Sequence, residues 1–383
     1  MSVGIEELGV GLPKLKILVN DLAKYRGWDQ DITSEIGIHS IGIPDVGQDN
    51  VTFAVDAVCD ILDRCPKKIS TIERIAVGSE GGPDDAKSIA SFVQGILKKK
   101  YSPPFHLSKN MEVMNYTQAC AATTIALLDS FRWVKDNPGK TALVIGTDIA
   151  TYERGTKPEY TQGAGAIAML VSENPKILEF VGKEGRSSES VADFWKPHSY
   201  EHAIVKGDYS VKCYLRALTS AYNHFKSRND EEGIEFDSLF FHTPTPSVVS
   251  TALKLIRKNT ELKKVDDDVT GITNVGQNIG NNYNASLYLN MLSAIESGNV
   301  QSMNSNIGLY SYGSGYLSYF FAMRLLSKDS FTSLNDSLNS LILISPQEYD
   351  KLKYDSVNKS ILAPKGCRRV CISNGLPEYD IFI

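Results

Sequence analysis

The feature that most restricts how this chain can fold is an internal echo. In the first half, Asn115–Cys120 leads into the long apolar stretch Ala121–Lys135, then a Pro-Gly turn, then the strand-like Thr141–Gly146. In the second half, Gly276–Asn284 leads into Ala285–Glu296, then Ser297–Gly298, then the strand-like Ile307–Tyr310. Each long apolar stretch opened from a polar loop reads as a helix, and each short apolar run bounded by turn residues reads as a buried strand. The order also matches upstream, where Ile72–Ser79 ends at Glu80 and Ser238–Phe241 ends at His242. Each half therefore presents an ionisable residue at a strand end and a polar residue at a helix start. The repeat is far longer than a solenoid period of roughly 20–50 residues. It predicts an α/β chain of two pseudo-twofold-related halves, residues 1–171 and 172–383, with the active site between them.

Other segments fit the alternation of strands and helices. After Ile72–Ser79 comes the loop Glu80–Pro83, and Asp84 or Asp85 is expected to cap a helix whose apolar positions are Ile89, Phe92, Val93 and Ile96. Ala164–Val171 predicts a buried strand, with small residues where another backbone could approach. Glu184–Ser190, short, charged and serine-rich, predicts an exposed loop. Asn229–Glu232 and Lys263–Asp268 predict solvated connectors.

Composition narrows the function. A formal net charge of -5 gives no basic footprint for nucleic acid. No run approaches the roughly 20 apolar residues that span a bilayer, and the first residues lack the pattern of a secretory leader. The expectation is a soluble cytoplasmic protein. The six cysteines form no Cys-x-x-Cys pair, so no metal site is expected and most of them should be small buried hydrophobes.

Cys120, in Gln118-Ala119-Cys120-Ala121-Ala122-Thr123, places a thiol at a helix start among small residues. The positive end of a helix and its free amides favour thiolate. His242, before Thr243-Pro244, ends a strand where it could project into a cleft and move a proton. Glu80, before two glycines, suits a general acid or base if buried. Ser311-Tyr312-Gly313-Ser314-Gly315 could hold an oxyanion with its amides. Thr161–Ala166 could do the same, or simply let backbones pack closely. Neither matches a dinucleotide or P-loop fingerprint. Taken singly, each residue has an ordinary structural reading: a buried cysteine, a satisfied core histidine, a surface carboxylate. Their placement at equivalent ends of an echoed pattern favours chemistry.

This constellation resembles the hydroxymethylglutaryl-CoA (HMG-CoA) synthase family of the thiolase superfamily, along nearly the whole chain. The matching segments include Leu22–Gly27, Asp49–Ala54, Ser79-Glu80, Ala119-Cys120, Asp148-Ile149-Ala150 with Tyr152, and Thr161–Ala166. They continue through Asp193–Pro197, Phe241-His242 with Pro244, Gly280-Asn281 with Tyr283, and Ser311–Gly315. The resemblance implies a thiolase fold with a layered αβαβα core and a homodimer. It implies that Cys120 accepts acetyl from acetyl-CoA, Glu80 deprotonates the acetyl methyl, and His242, assisted by Asn281, positions acetoacetyl-CoA. Tyr152, Thr161, Tyr283 and Ser314 are implied substrate contacts, with no metal or redox cofactor. One departure is the run Thr243–Val248, where the family's CoA enzymes usually carry a lysine and none occurs here until Lys254. His-Thr-Pro is similar to relatives that act on an acyl-carrier protein, whereas Val205–Gly207 and Cys213–Leu215 resemble the CoA enzymes. A non-catalytic scaffold of the same fold is the reading from another class, and the intact Glu80, Cys120 and His242 set weighs against it.

Overall fold

The computed structural model describes residues 2–101, 106–198, 200–259, 262, 268–300, 302–328, 333–354 and 359–382. Nine strands form its main sheet: β1 (Gly4–Gly11), β2 (Ile72–Gly78), β3 (Glu112–Tyr116), β4 (Thr141–Ile149), β5 (Ala164–Ser172), β6 (Leu178–Ser188), β7 (Ser238–Phe241), β8 (Asn306–Gly313) and β9 (Leu317–Leu325). Their order across the sheet is β7-β8-β9-β6-β1-β5-β4-β2-β3. Only Gly4↔Glu179 and Ile5↔Leu178 pair β1 with β6, so the sheet consists of two wings joined by a narrow seam.

The echo becomes geometry within these wings. β2 runs parallel to β4, the strand that follows helix α3 (Ala122–Asp136; α1 and α2 are Asn50–Arg64 and Ile89–Lys100). β7 likewise runs parallel to β8, the strand that follows α6 (Ser286–Glu296; α4 and α5 are Gly207–Arg228 and Pro246–Asn259). Parallel pairing needs a crossover, and both crossovers bring the ends of β2 and β7 beside the start of a helix. Thus Glu80 and His242 follow strand ends, as the sequence predicts.

The two wings enclose α3 and α6. Leu127 and Phe131 of α3 share one core with Leu287, Met291 and Leu292 of α6, with Ala76, Val144 and Met169 from one wing, and with Phe240, Leu309 and Phe321 from the other. Inside this core Thr124 and Tyr288 share a hydrogen bond of 2.7 Å, so neither hydroxyl is stranded. On the outer face of the first wing, α1 and α2 bury Phe53, Val58 and Val93 against Ile75, Val77 and Leu143. On the outer face of the second, α4 and α5 bury Leu218, Phe225 and Leu253 against Leu239, Phe241 and Phe320. The layers run helix, sheet, helix, sheet, helix. Two strands buried on both faces, β4 and β5, are apolar from Ala142 to Gly146 and from Ala164 to Val171.

Four expectations are corrected. α2 is capped by Ser88, whose hydroxyl accepts from the Ser91 amide; Asp84 instead accepts from Ala86, in a turn one step earlier. Glu184–Ser190 is mostly strand rather than loop, because β6 pairs there with β9 and Glu184 is held by Arg132 and Arg228 from distant helices. The cysteines divide: Cys59, Cys213 and Cys367 are buried, Cys65 and Cys120 are half-buried, Cys371 is exposed, and all are free. Of the expected connectors, Asn229 is buried and binds the backbone of Lys183, whereas the run at residues 263–267 lies outside the described residues.

The contact between β2 and α3 sets how close the end of β2 can come to Cys120. A Cβ added at Gly78 would stand 2.2 Å from the Thr123 amide nitrogen and 2.4 Å from its Cα. These are helix backbone atoms that cannot swing aside. Gly78→Ala is expected to destabilise the fold by about 1–3 kcal/mol, read as a lowered denaturant midpoint; an unchanged midpoint would contradict this packing.

Candidate active site

The site begins with two helices that are entered in the same strained way. Ala119, before Cys120, has φ 44°, and Tyr283, before Asn284, has φ 43°. A non-glycine residue in the left-handed region is costly and persists only where its surroundings enforce it. Cys120 and Asn284 are therefore structural counterparts. Neither helix has a side-chain cap of its own. Instead Asn284 Oδ1 accepts from the Thr123 amide at 2.9 Å, and its Nδ2 donates to the Ala119 carbonyl at 2.9 Å. The second half thereby caps the helix of the first.

Asp148, at the end of β4, ties these parts to the carboxylate. It accepts from Ser79 Oγ at 2.8 Å, the Glu80 amide at 2.8 Å, Asn284 Nδ2 at 2.8 Å and the Asn284 amide at 3.2 Å. Four donors satisfy a carboxylate that is only 1% exposed. Glu80 then reaches Cys120: the thiol donates to Oε1 at 2.7 Å. Glu80 borders a cleft of about 100 Å³ whose other walls include Asn50, Phe194, Lys196 and Tyr283, and Cys120 packs against Tyr152 and Tyr283 beside it.

Electrostatics correct one expectation. The helix start predicts a depressed thiol, yet burial pushes Cys120 well above its ordinary range, and Glu80 and Asp148 add to the shift. The first amides of α3 are also occupied: Ala121 binds Gln118, Ala122 binds Ala119, and Thr123 binds Asn284. These amides are spent on backbone and side-chain acceptors rather than on the sulfur. Burial, with Asp148 beside it, pushes Glu80 up to about 8. At neutral pH the resting pair is a thiol facing a largely protonated carboxyl.

His242 is 3% exposed. Its amide donates to the Tyr310 carbonyl at 2.7 Å, and its own carbonyl accepts from Tyr214 Oη at 2.7 Å. Its Nδ1 shares a hydrogen bond of 3.0 Å with Ser286 Oγ, which leaves Nε2 for a ligand. Burial pushes the imidazole down to about 3, so it is neutral. Ser286 lies two residues beyond Asn284, so one short segment holds both the histidine and the start of the cysteine helix.

The remaining candidates are placed unevenly. Tyr152 and Tyr283 stack edge to face at 6.5 Å beside Cys120, and Phe194 meets Tyr283 at 6.1 Å. Asn281 donates its amide to the Thr161 carbonyl at 3.0 Å, while its Oδ1 accepts from the Tyr283 amide at 2.9 Å. The Thr161 hydroxyl turns to the Pro158 carbonyl at 2.9 Å. Thr161–Ala166 serves close packing: a Cβ at Gly163 would meet the Ile279 and Asn281 carbonyls at 2.5 and 2.8 Å. Ser314 lies in a turn whose Gly315 amide is already taken by Asp193 Oδ1 at 2.8 Å, so that amide is not free for an oxyanion. Asp193 also accepts from Tyr312 Oη at 2.8 Å and Ser210 Oγ at 3.1 Å.

Sequence reasoning did not single out Asp148, Asn284 or Ser286 as parts of the site. The echo held the signal for Asn284, because aligning the two helix starts sets it opposite Cys120. Among the described residues no group of His, Cys, Asp and Glu could hold a metal ion, and no helix is long and apolar enough to cross a membrane.

A layered αβαβα core with a cysteine at the start of a central helix defines a condensing enzyme of the thiolase fold. Family models give the particular family: hydroxymethylglutaryl-coenzyme A synthase N terminal matches residues 1–176, and the corresponding C terminal model matches 184–264 and 256–352. The chain belongs to the HMG-CoA synthase family. It is 29% identical to the hydroxymethylglutaryl-CoA synthase of Enterococcus faecalis over 376 residues, 94% of each protein. The Haloferax volcanii enzyme of that name is 35% identical over 275 residues, 70% of this chain and 61% of that protein. A crystal structure of HMG-CoA synthase complexed with CoA superposes over 100% of both chains with TM-score 0.88 and 26% identity. The HMG synthase of the curacin biosynthetic pathway, in complex with an acetyl donor acyl-carrier protein, does so over 100% of both with TM-score 0.86 and 26% identity.

The state of the thiol is measurable. Iodoacetamide should modify Cys120 more slowly at neutral pH than a free thiol with a pKa of about 8.5, with a rate still rising beyond pH 9. Site-resolved mass spectrometry reads this directly; faster modification than the free thiol at neutral pH would mean a stabilised thiolate.

Proposed function

We infer that the chain joins acetyl-CoA with acetoacetyl-CoA and water to give 3-hydroxy-3-methylglutaryl-CoA and free CoA. The observation that carries this reading is the 2.7 Å contact between Cys120 and Glu80, in a chain matched by both HMG-CoA synthase models. Cys120 Sγ attacks the acetyl carbonyl, its bond to CoA breaks, and CoA leaves with the thiol proton. The acetyl methyl is then one carbon removed from Sγ, within reach of a carboxylate that already contacts that sulfur. Glu80 in its ionised form takes a methyl proton, the resulting carbanion equivalent attacks the β-keto carbon of acetoacetyl-CoA, and as that C=O bond opens the proton passes from Glu80 to its oxygen, which becomes the 3-hydroxyl. Neutral His242, held by Ser286, presents Nε2 to the acetoacetyl thioester with Asn281 assisting. Water then hydrolyses the Cys120 thioester. Acyl transfer followed by carbon–carbon bond formation needs a nucleophile, a base and hydrogen-bond donors, all supplied by side chains, so the reaction as proposed uses no metal or redox cofactor.

Tyr152, Thr161, Tyr283 and Ser314 border the substrate in this reading. The chain divides after residue 171 into a half carrying Glu80 and Cys120 and a half carrying His242 and Asn281. Among the described residues β3 is paired on one side only, with β2, and that open edge suits pairing of two copies into a homodimer. The setting is the cytoplasm, where CoA thioesters are supplied to isoprenoid synthesis.

Glu80→Ala should still acetylate at Cys120 but lose condensation by about 10²-fold or more. Removing the carboxyl deletes the hydrogen-bond acceptor that holds the thiol proton, so the first step survives. Intact-protein mass after acetyl-CoA and single-turnover product formation separate the steps; loss of acetylation with retained condensation from a preformed acetyl-enzyme would reverse the assignment.

A second reading keeps the chemistry and changes the carrier. It is favoured by Thr243–Val248, which holds no lysine, and by the likeness to the curacin synthase bound to its carrier protein. Steady-state CoA release should proceed with free acetoacetyl-CoA as acceptor. Turnover only with acetoacetyl loaded on a carrier protein would transfer the enzyme to that second role.

A further inference from the structure

A second cleft, of about 300 Å³, lies behind the strand-end loop Ile149–Thr151 and is closed on its far side by the helix Pro346–Tyr354, here α7. Its walls join apolar Ile43, Pro44 and Leu352 to two cations, Lys353 and Arg369. Lys353 is held in a way unusual for an ammonium. Its Nζ meets Gln162 Oε1 and, at 3.2 Å, Tyr349 Oη, both neutral. It also lies over the rings of Tyr349 and Tyr354, at 5.6 and 5.9 Å. Of the carboxylates that act on Lys353 or its helix, Glu159 and Asp350 are already bound by Arg26, and Asp350 by Arg154 as well, while Glu201 makes no ion pair with Lys353 among the described residues.

Arg369 approaches Asp49 Oδ2 only to 3.8 Å, and Asp49 is itself occupied by the Thr52 amide and Tyr379 Oη. Asp45, the one carboxylate in the wall, accepts from the Val46, Ile361 and Leu362 amides and from Ser360 Oγ. Burial pushes Lys353 down to about 8, yet it stays charged at neutral pH. Among the described residues, therefore, two cations face one cavity without a carboxylate at close hydrogen-bonding distance from either.

We propose that this cleft is a binding site for a small amphiphilic anion, whose carboxylate or phosphate head is taken by Lys353 and Arg369 and whose apolar body lies against Ile43, Pro44 and Leu352. The volume suits a small molecule of this kind, at the low end of the roughly 300–1,000 Å³ of ligand sites. Occupancy is felt at the catalytic cleft, because Gln162 Oε1, the acceptor of Lys353, also accepts from the Tyr152 amide at 2.9 Å. An anion that draws the ammonium away withdraws a donor from the residue that anchors the Tyr152 loop.

The binding claim stands apart from the condensing reaction, and only its effect on turnover rests on that reading. Calorimetric titration of the full chain with inorganic phosphate, inorganic pyrophosphate and hexanoate tests it. At least one probe is expected to saturate below about 10 mM, and the one that does identifies the head group as phosphate or carboxylate. Lys353→Met and Arg369→Gln should each weaken that binding about tenfold or more. Arg369→Gln should keep the basal rate of CoA release while losing the change in rate that the probe causes in the unmodified enzyme. Failure of every probe to saturate overturns the proposal. So does unaltered binding in both variants, which would put the anion in the catalytic cleft.

Discussion

The buried carboxylate of Asp148 is the constraint on which the rest of the site depends. A charge almost without solvent contact is tolerated only when its acceptor positions are filled. Here the donors come from Ser79 and Glu80 at the end of β2 and from Asn284 at the start of α6. Satisfying one carboxylate therefore fixes the position of Glu80 relative to the second half of the chain. It also places a negative charge beside Glu80, which keeps that carboxyl protonated further into the neutral range than an ordinary glutamate. Geometry and acidity at the site arise from the same group.

The two helices inside the sheet extend this logic. A buried helix start leaves amides that need partners. In α3 the Thr123 amide is satisfied across the interface by Asn284, so the cysteine helix is held by a residue 161 positions away in sequence. The left-handed residues Ala119 and Tyr283 store strain at equivalent points. That strain is maintained by close packing, such as Gly78 against Thr123, where any side chain would intrude. Charge, capping and packing are thus joined at the point where the reacting sulfur sits, and a change in one disturbs the other two.

His242 shows the same economy. Burial lowers its basicity until it is a neutral hydrogen-bonding group rather than a cation. A cationic histidine near Cys120 would pull the thiol toward thiolate; a neutral one leaves the cysteine under the control of the carboxylates. The division of labour between Glu80 and His242 follows from their surroundings, since one carboxyl has a carboxylate neighbour and the imidazole has mainly neutral ones.

Local pattern by itself determined the alternation of strand and helix, the duplicated order, and the positions of Glu80, Cys120 and His242 at element ends. Apolar runs, Gly and Pro breaks and short-range periodicity are properties of neighbouring residues, so one sequence displays them. Resemblance carried the family and the chemistry expected of it. Only the tertiary structure decided that Cys120 is a protonated thiol rather than a thiolate, because burial and carboxylates from β2 and β4 outweigh the helix start. It alone placed Glu184 in a strand, against its local composition, by pairing β6 with β9 and supplying Arg132 and Arg228. It alone raised Asp148, Asn284 and Ser286 from ordinary polar residues to the frame of the site. Each of these outcomes depends on groups tens to hundreds of residues apart being brought within about 3 Å, and the energy of a buried charge or hydrogen bond is set by that proximity, which no local pattern encodes.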